Sequence, residues 1–286
     1  KNAGINRKNK SGQSAIGLAS RQNHITIVAE LDGRGAIHEG TAEKAGKAAV
    51  RIEDIQSAAA SMSTRGKPFE GWSPLMIAAH MGQTEAIKVL LTKKPLVDER
   101  DRDGQTPLSR ASVQGHEEAV RLLIGAGGDT DASDKEGRTP LMRASERGHA
   151  KVVRLLLGRG AKVNARETGG DTAIVYAVRG GHGAIAEALI DAGADLKILK
   201  KGETTPLMWA ARLGRKEMAE AFLRRGAEVN AQDKDGRTAL FFAMEEGHAD
   251  LVGALVKAGA DVNMEYGGGN TALSRAACIG NQAVVK

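Results

Sequence analysis

Aromatic side chains are scarce in this chain. Two Trp, two Tyr and four Phe stand among 286 residues, 3% of the total, so the position of each one carries information. Cysteine is scarcer still. The lone Cys278 cannot close an intrachain disulfide, which favours a reducing compartment and gives the expectation of an intracellular protein, in cytoplasm or nucleus. No apolar run approaches the ~20 residues of a membrane span, and Lys1-Asn2-Ala3-Gly4 opens the sequence with neither an apolar signal region nor an initiator Met. A strong excess of one charge is missing too. Lys plus Arg number 41 against 35 Asp plus Glu, and the net +6 permits an acidic partner without demanding nucleic acid.

Recognisable catalytic chemistry is also lacking. Gly169-Gly170 and Gly267-Gly268-Gly269 have neither the spacing nor the terminal Lys-Ser/Thr of a phosphate-binding loop. Glu117-Glu118 and Glu245-Glu246 are adjacent along helices, so their carboxylates diverge. His38 and His80 have no cysteine or carboxylate at metal-ligand spacing, and no base partner is evident for Cys278. The chain reads as a non-enzyme, with no cofactor and no metal.

What is present is a period. Thr106-Pro107-Leu108, Thr139-Pro140-Leu141 and Thr205-Pro206-Leu207 are clean copies of one phrase. Ser73-Pro74-Leu75, Thr172-Ala173-Ile174, Thr238-Ala239-Leu240 and Thr271-Ala272-Leu273 are near copies, and every step is 33 residues. A fixed interval of that size predicts a solenoid of stacked units, whose ladder of equivalent surface positions suits the gripping of another macromolecule.

Residues 101–133 serve as the type unit. Asp101 to Gln105 form a turn, with Gly104 free to take positive φ. Thr106 is a natural N-cap, and Pro107 fits the first helical position. Leu108, Ala111 and Ser112 share one helical face, and the helix stops near Gly115. A second helix from His116 to roughly Ile124 carries Ala119, Val120, Leu122 and Leu123 on an apolar face, ended by Gly125 and Gly127. Neither helix reaches the ~12–15 residues at which an isolated helix becomes marginally stable, so stacking must supply the rest.

This pattern resembles the ankyrin repeat: a turn, T-P-L-H-x-A, Gly-His between helices, Leu-Leu near the end of the second helix, then G-A-D-V-N. Gly148-His149, Leu155-Leu156, Gly160-Ala161-Lys162-Val163-Asn164, Gly226-Ala227-Glu228-Val229-Asn230 and Gly259-Ala260-Asp261-Val262-Asn263 carry the resemblance. It implies an all-α ankyrin-repeat solenoid with β-turn or hairpin tips, and a structural role for His24, His116, His149, His182 and His248. The His that follows T-P-L in the family is absent throughout; Met76, Ser109, Met142, Val175, Met208, Phe241 and Ser274 replace it. Lys94-Pro95 replaces one terminal Gly-Ala.

The expected organisation is one array over 1–286. It comprises a partial repeat 1–8, a repeat 9–67 with an inserted helix at about 41–67, repeats 68–100, 101–133, 134–166, 167–199, 200–232 and 233–265, and a partial repeat 266–286. Breaks inside units at both ends give the expectation of a longer polypeptide or complex. The insertion, 26 residues beyond one period, reads either as a surface addition on the array's flank or as a docking helix.

The resemblance places partners in a groove lined by the turn tips and the short first helices. Four residues after each Thr come Arg110, Arg143, Tyr176, Trp209 and Phe242, either core or interaction anchors. At the ends of the first helices lie Arg147, Arg179 and Arg212. The turn tips add Arg102, Lys135, Lys201 and Lys234, with Arg138 and Arg237 three residues beyond Lys135 and Lys234. The expectation is a protein-interaction module for an acidic peptide or protein surface with apolar anchors, arginines pairing carboxylates and rings holding the apolar groups. A nucleic-acid-binding array and a structural spacer or targeting arm are the alternatives.

Overall fold

The computed structural model of the protein describes residue 69, residues 71–197, residues 204–278 and residue 280. The expected repeat 9–67 with its inserted helix, the turn tip Lys201 and the far end of the last partial repeat lie outside the described residues.

Helices come in pairs. The first members are α1 (Pro74–His80), α3 (Pro107–Gln114), α5 (Pro140–Glu146), α7 (Ala173–Gly180), α9 (Pro206–Arg212), α11 (Ala239–Glu245) and α13 (Ala272–Cys278). The second members are α2 (Thr84–Thr92), α4 (Glu117–Gly125), α6 (Ala150–Leu157), α8 (Gly183–Asp191), α10 (Lys216–Arg224) and α12 (Ala249–Lys257). First helices pack on first helices and second on second, and each pair packs together, giving two parallel rows of helices.

The starts of the first helices follow from their sequence. Thr106, Thr139, Thr205 and Thr238 accept the backbone N–H three residues on at 3.1–3.3 Å, capping a donor the helix cannot satisfy itself. Where the family has His, two methionines complete the cap. The Thr139 N–H donates to Met142 Sδ and the Thr205 N–H to Met208 Sδ, each at 3.4 Å, while Ser274 Oγ accepts from the Thr271 N–H at 3.0 Å. A different acceptor therefore replaces the missing imidazole at these positions.

Close approach between rows rests on one alanine per unit. Every 33rd residue from Ala78 to Ala276 is alanine, each with no solvent exposure. Larger side chains would separate the helices. Leu90, Leu123, Leu156, Leu189, Phe222 and Leu255 fill the matching buried slot on the second helices, each contributing about 1.5–3 kcal/mol of burial.

The turn tips are closed loops. The Asp101, Asp134, Glu167 and Asp233 N–H groups each donate to the carbonyl four residues on at 3.0 Å. Near the C-terminal end the tip becomes a short antiparallel ladder, β1 (Glu265–Tyr266) with β2 (Asn270–Thr271). Lys94 stands where its counterparts are Gly127, Gly160, Gly193, Gly226 and Gly259, and it is held at φ 53°, the left-handed conformation those glycines also adopt.

Candidate functional site

The turn acids decide what the groove can offer. The Asp101 carboxylate is fully buried and accepts the Asp103 and Gln105 N–H groups at 2.9 Å each. Asp134 is likewise buried and accepts from the Glu136 and Arg138 N–H groups. A buried carboxylate needs a counter-ion, and the arginines supply it. Arg110 Nε donates to Asp101 at 2.8 Å and Arg143 to Asp134 at 2.6 Å. Arg138 adds 3.1 Å to Asp134 and 2.6 Å to Glu136, and Arg237 binds Asp233 at 2.9 Å and Asp235 at 2.8 Å. Burial alone would raise the Asp134 carboxyl, but the Arg138 backbone N–H and the Arg143 guanidinium outweigh it and hold it below the usual range.

This changes the reading of four residues. Arg110, Arg143, Arg138 and Arg237 face acids of their own turns, so the structure places them as internal counter-ions. Phe242 also departs from an exposed anchor. It is 4% exposed, packed edge-on to Phe241 at 5.5 Å and lying under the Arg237 guanidinium at 5.1 Å.

Tyr176 and Trp209 remain half-buried on the ladder. Between them stands Arg179. Its guanidinium is fixed by Asp171 at 2.7 Å and lies 3.9 Å over the Trp209 ring and 6.0 Å from Tyr176. Arg212, one turn on in the same helix, lies 5.7 Å from the Trp209 ring and 5.9 Å from Phe242 of the next unit, with only a loose exposed contact to Glu246 at 3.9 Å. Cations over aromatic faces gain about 0.5–1 kcal/mol at exposed sites. Arg147 is exposed and makes no ion pair among the described residues. Burial raises the Asp171 carboxyl above its ordinary value, an effect Arg179 opposes. Burial likewise raises the Tyr176 hydroxyl. The Trp209 indole N–H is shut away from solvent without an acceptor among the described residues.

The turn tips divide. Lys135 and Lys234 are exposed, Lys135 also donating its backbone N–H to the Asp103 carbonyl at 3.0 Å, whereas Arg102 has partners of its own. A second aromatic cluster escapes the ladder argument. Phe69 and Trp72 meet at 4.9 Å, Trp72 meets His80 at 5.2 Å, and Arg110 lies 4.0 Å over Trp72. Its signal in the sequence was Trp72 itself, a scarce ring directly before the capping Ser73.

The Gly-His histidines link neighbouring units. Nε2 of His116, His149, His182 and His248 donates to the carbonyls of His80, Val113, Glu146 and Arg212 at 3.0, 2.9, 3.1 and 3.2 Å. Burial lowers His80 and His116 from the ordinary imidazole range; Arg110 adds to the effect on His80. Among the described residues no group of His, Cys, Asp and Glu is placed to hold a metal, and no helix is long and apolar enough to cross a membrane.

Comparison with known proteins agrees with this geometry. The family model described as ankyrin repeats in three copies matches residues 42–134, 75–167, 120–200, 166–233 and 207–286. Among solved structures, the ankyrin repeat domain of Bcl-3, described as a unique member of the IkappaB protein family, is 31% identical. The match covers 72% of this chain and 94% of that one, with a TM-score of 0.65. The human ASB11 ankyrin repeat domain is 27% identical over 74% of this chain and 96% of that one, with a TM-score of 0.67. No curated protein matches the sequence significantly. Period, capped helix pairs, histidine ties and both structural likenesses converge: the chain belongs to the ankyrin-repeat family.

Proposed function

We propose that this chain is a non-catalytic protein-interaction module that takes an acidic segment with apolar anchors on the face formed by Tyr176, Arg179, Trp209 and Arg212, with Arg147 at its edge. Ankyrin repeats mediate protein–protein interaction, and that supports the class. The stack of Asp171, Arg179 and Trp209 supports the place. It is the point on the ladder where half-buried rings coincide with Arg212, whose only ion pair among the described residues is a contact at 3.9 Å, and with Arg179, which the half-buried Asp171 orients across the indole. Arg179 and Arg212 are held beside the indole, so little side-chain entropy is lost when they meet a carboxylate. The internal pairing of Arg110, Arg143, Arg138 and Arg237 narrows the site to the repeats at 167–199 and 200–232.

A random peptide library selected on the intact chain provides the test. Enriched sequences should combine acidic and apolar residues. Trp209→Ala should weaken the selected peptide by about 2 kcal/mol or more with the melting curve little changed. Arg179→Glu with Arg212→Glu should chiefly slow association and flatten its salt dependence. A folded Trp209→Ala protein that binds as before would remove the site. Tight binding of single-stranded homopolymer DNA with a steep salt slope would replace the protein ligand by nucleic acid.

A further inference from the structure

Among the described residues, two side-chain ladders sew each repeat to the next, and both are interrupted at one place. The first is the histidine ladder. Its slot between the repeats 167–199 and 200–232 holds Arg215, whose guanidinium lies against Gly181 much as the imidazoles lie against Gly82, Gly115 and Gly148. Arg215 nevertheless makes no hydrogen bond to the preceding repeat among the described residues. The second ladder runs through Asp98, Asp131, Asn164 and Asn230. Their side-chain oxygens accept the backbone N–H of Asp129, Lys162, Asp195 and Asp261 at 3.0, 2.8, 2.8 and 2.8 Å. The equivalent position at the same junction is Lys197, an ammonium with no acceptor to offer.

Packing tells the same story independently. α7 meets α9, and α8 meets α10, less extensively than any other consecutive pair in their rows. Among the described residues the apolar core still runs across this junction, but the side-chain pairs that cross it lie near the surface: Arg179 over Trp209 on the groove side, and Arg225 with Asp191 at 2.8 Å on the far side. Exposed pairs of that kind contribute little. In a linear array, where each unit touches only its neighbours, the weakest interface sets where cooperative blocks end.

We infer that the array divides into two cooperative blocks at the junction between α8 and α9, and that a partner seated on Tyr176 and Trp209 joins them. The joining rests on the binding reading given above; the division does not. Tyr176 and Trp209 lie on opposite sides of the junction, so a segment touching both replaces the missing ties from outside. Occupancy of the site then controls the rigidity of the whole array.

Native-state amide exchange on the full chain tests the division. Residues 206–257 should open as one block, with an opening constant on the order of tenfold or more above that of residues 107–191, and with a step at the junction. Lys197→Asn with Arg215→His should erase the step and slow opening of the second block by a similar factor. A smooth gradient of protection, or a step the double variant leaves intact, overturns the division. Asp131→Lys with His149→Arg provides the converse, since it should create a second step between the repeats at 101–133 and 134–166; no new step also overturns it. A peptide whose affinity depends on Trp209 should protect both sides of the junction. Protection on one side alone overturns the joining and leaves the site standing. Failure to find such a peptide removes the site and the joining together, while the exchange step still decides the division.

Discussion

Asp134 shows how much one buried acid organises. Two backbone N–H groups and two guanidinium groups converge on it, so Asp134→Ala strands Arg143 and opens the turn together. We expect a loss of about 3 kcal/mol in urea unfolding, with Arg143→Met milder because Arg138 still neutralises the carboxylate. The sequence displayed these arginines as a basic ladder because charge is visible in a sequence and pairing is not. The nine-residue interval from Asp101 to Arg110 recurs from Asp134 to Arg143, and it was the available sign of internal pairs. Lys94 is the opposite case, a residue whose departure from the repeat was legible, and the structure holds it at φ 53°. Lys94→Gly should raise stability by about 1 kcal/mol, read as a higher urea midpoint at unchanged slope.

Between helices, glycine and histidine work as a unit. Gly115 takes φ 78°, and a Cβ there would run into the His149 ring. Gly115→Ala therefore combines backbone strain with a clash and should cost about 2–4 kcal/mol of stability. Acid should act on the same joints. His80 and His116 are lowered chiefly by burial, so the unfolded chain binds protons more readily than the folded one as pH falls below the ordinary imidazole value of 6.5. Stability contributed by these neutral rings is complete above that pH and declines as pH drops from there toward their folded values. Melting temperature followed from pH 7.5 to about 5 should fall, and His80→Gln with His116→Gln should shrink the fall; an equal fall in the variant would place the sensitivity elsewhere. The helix pairs, their caps and the histidine slots were all readable from spacing and resemblance. The thioether acceptors of Met142 and Met208 were not, since sulfur accepts a hydrogen bond only in the rotamer that packing selects.

For the molecule as a whole, the 33-residue interval by itself dictates a solenoid, because a fixed period admits few ways of burying an apolar face. The candidate site was half legible. Trp209, Tyr176 and Arg179 stood out by rarity and register, whereas the burial of Phe242 depends on Arg237 and the neighbouring Phe241 ring, which lie outside any single ladder. The alanine that recurs from Ala78 to Ala276 has a further consequence for inheritance. Because the surfaces that receive a unit resemble one another, the junction between α8 and α9 excepted, the array can lose or copy a whole unit and still close. Excising residues 134–166 would bring His182 to the Val113 carbonyl and the Asp195 N–H to Asp131, groups that already serve His149 and Lys162. The shortened chain should keep its stack with its helical signal reduced in proportion, whereas removal of one residue from α5 should cost more helical signal than one repeat's share. Recombination can thus change the length of this protein in whole repeats, while single-residue slips inside a helix are purged, and the number of repeats becomes a trait that drifts independently of the sequence within them.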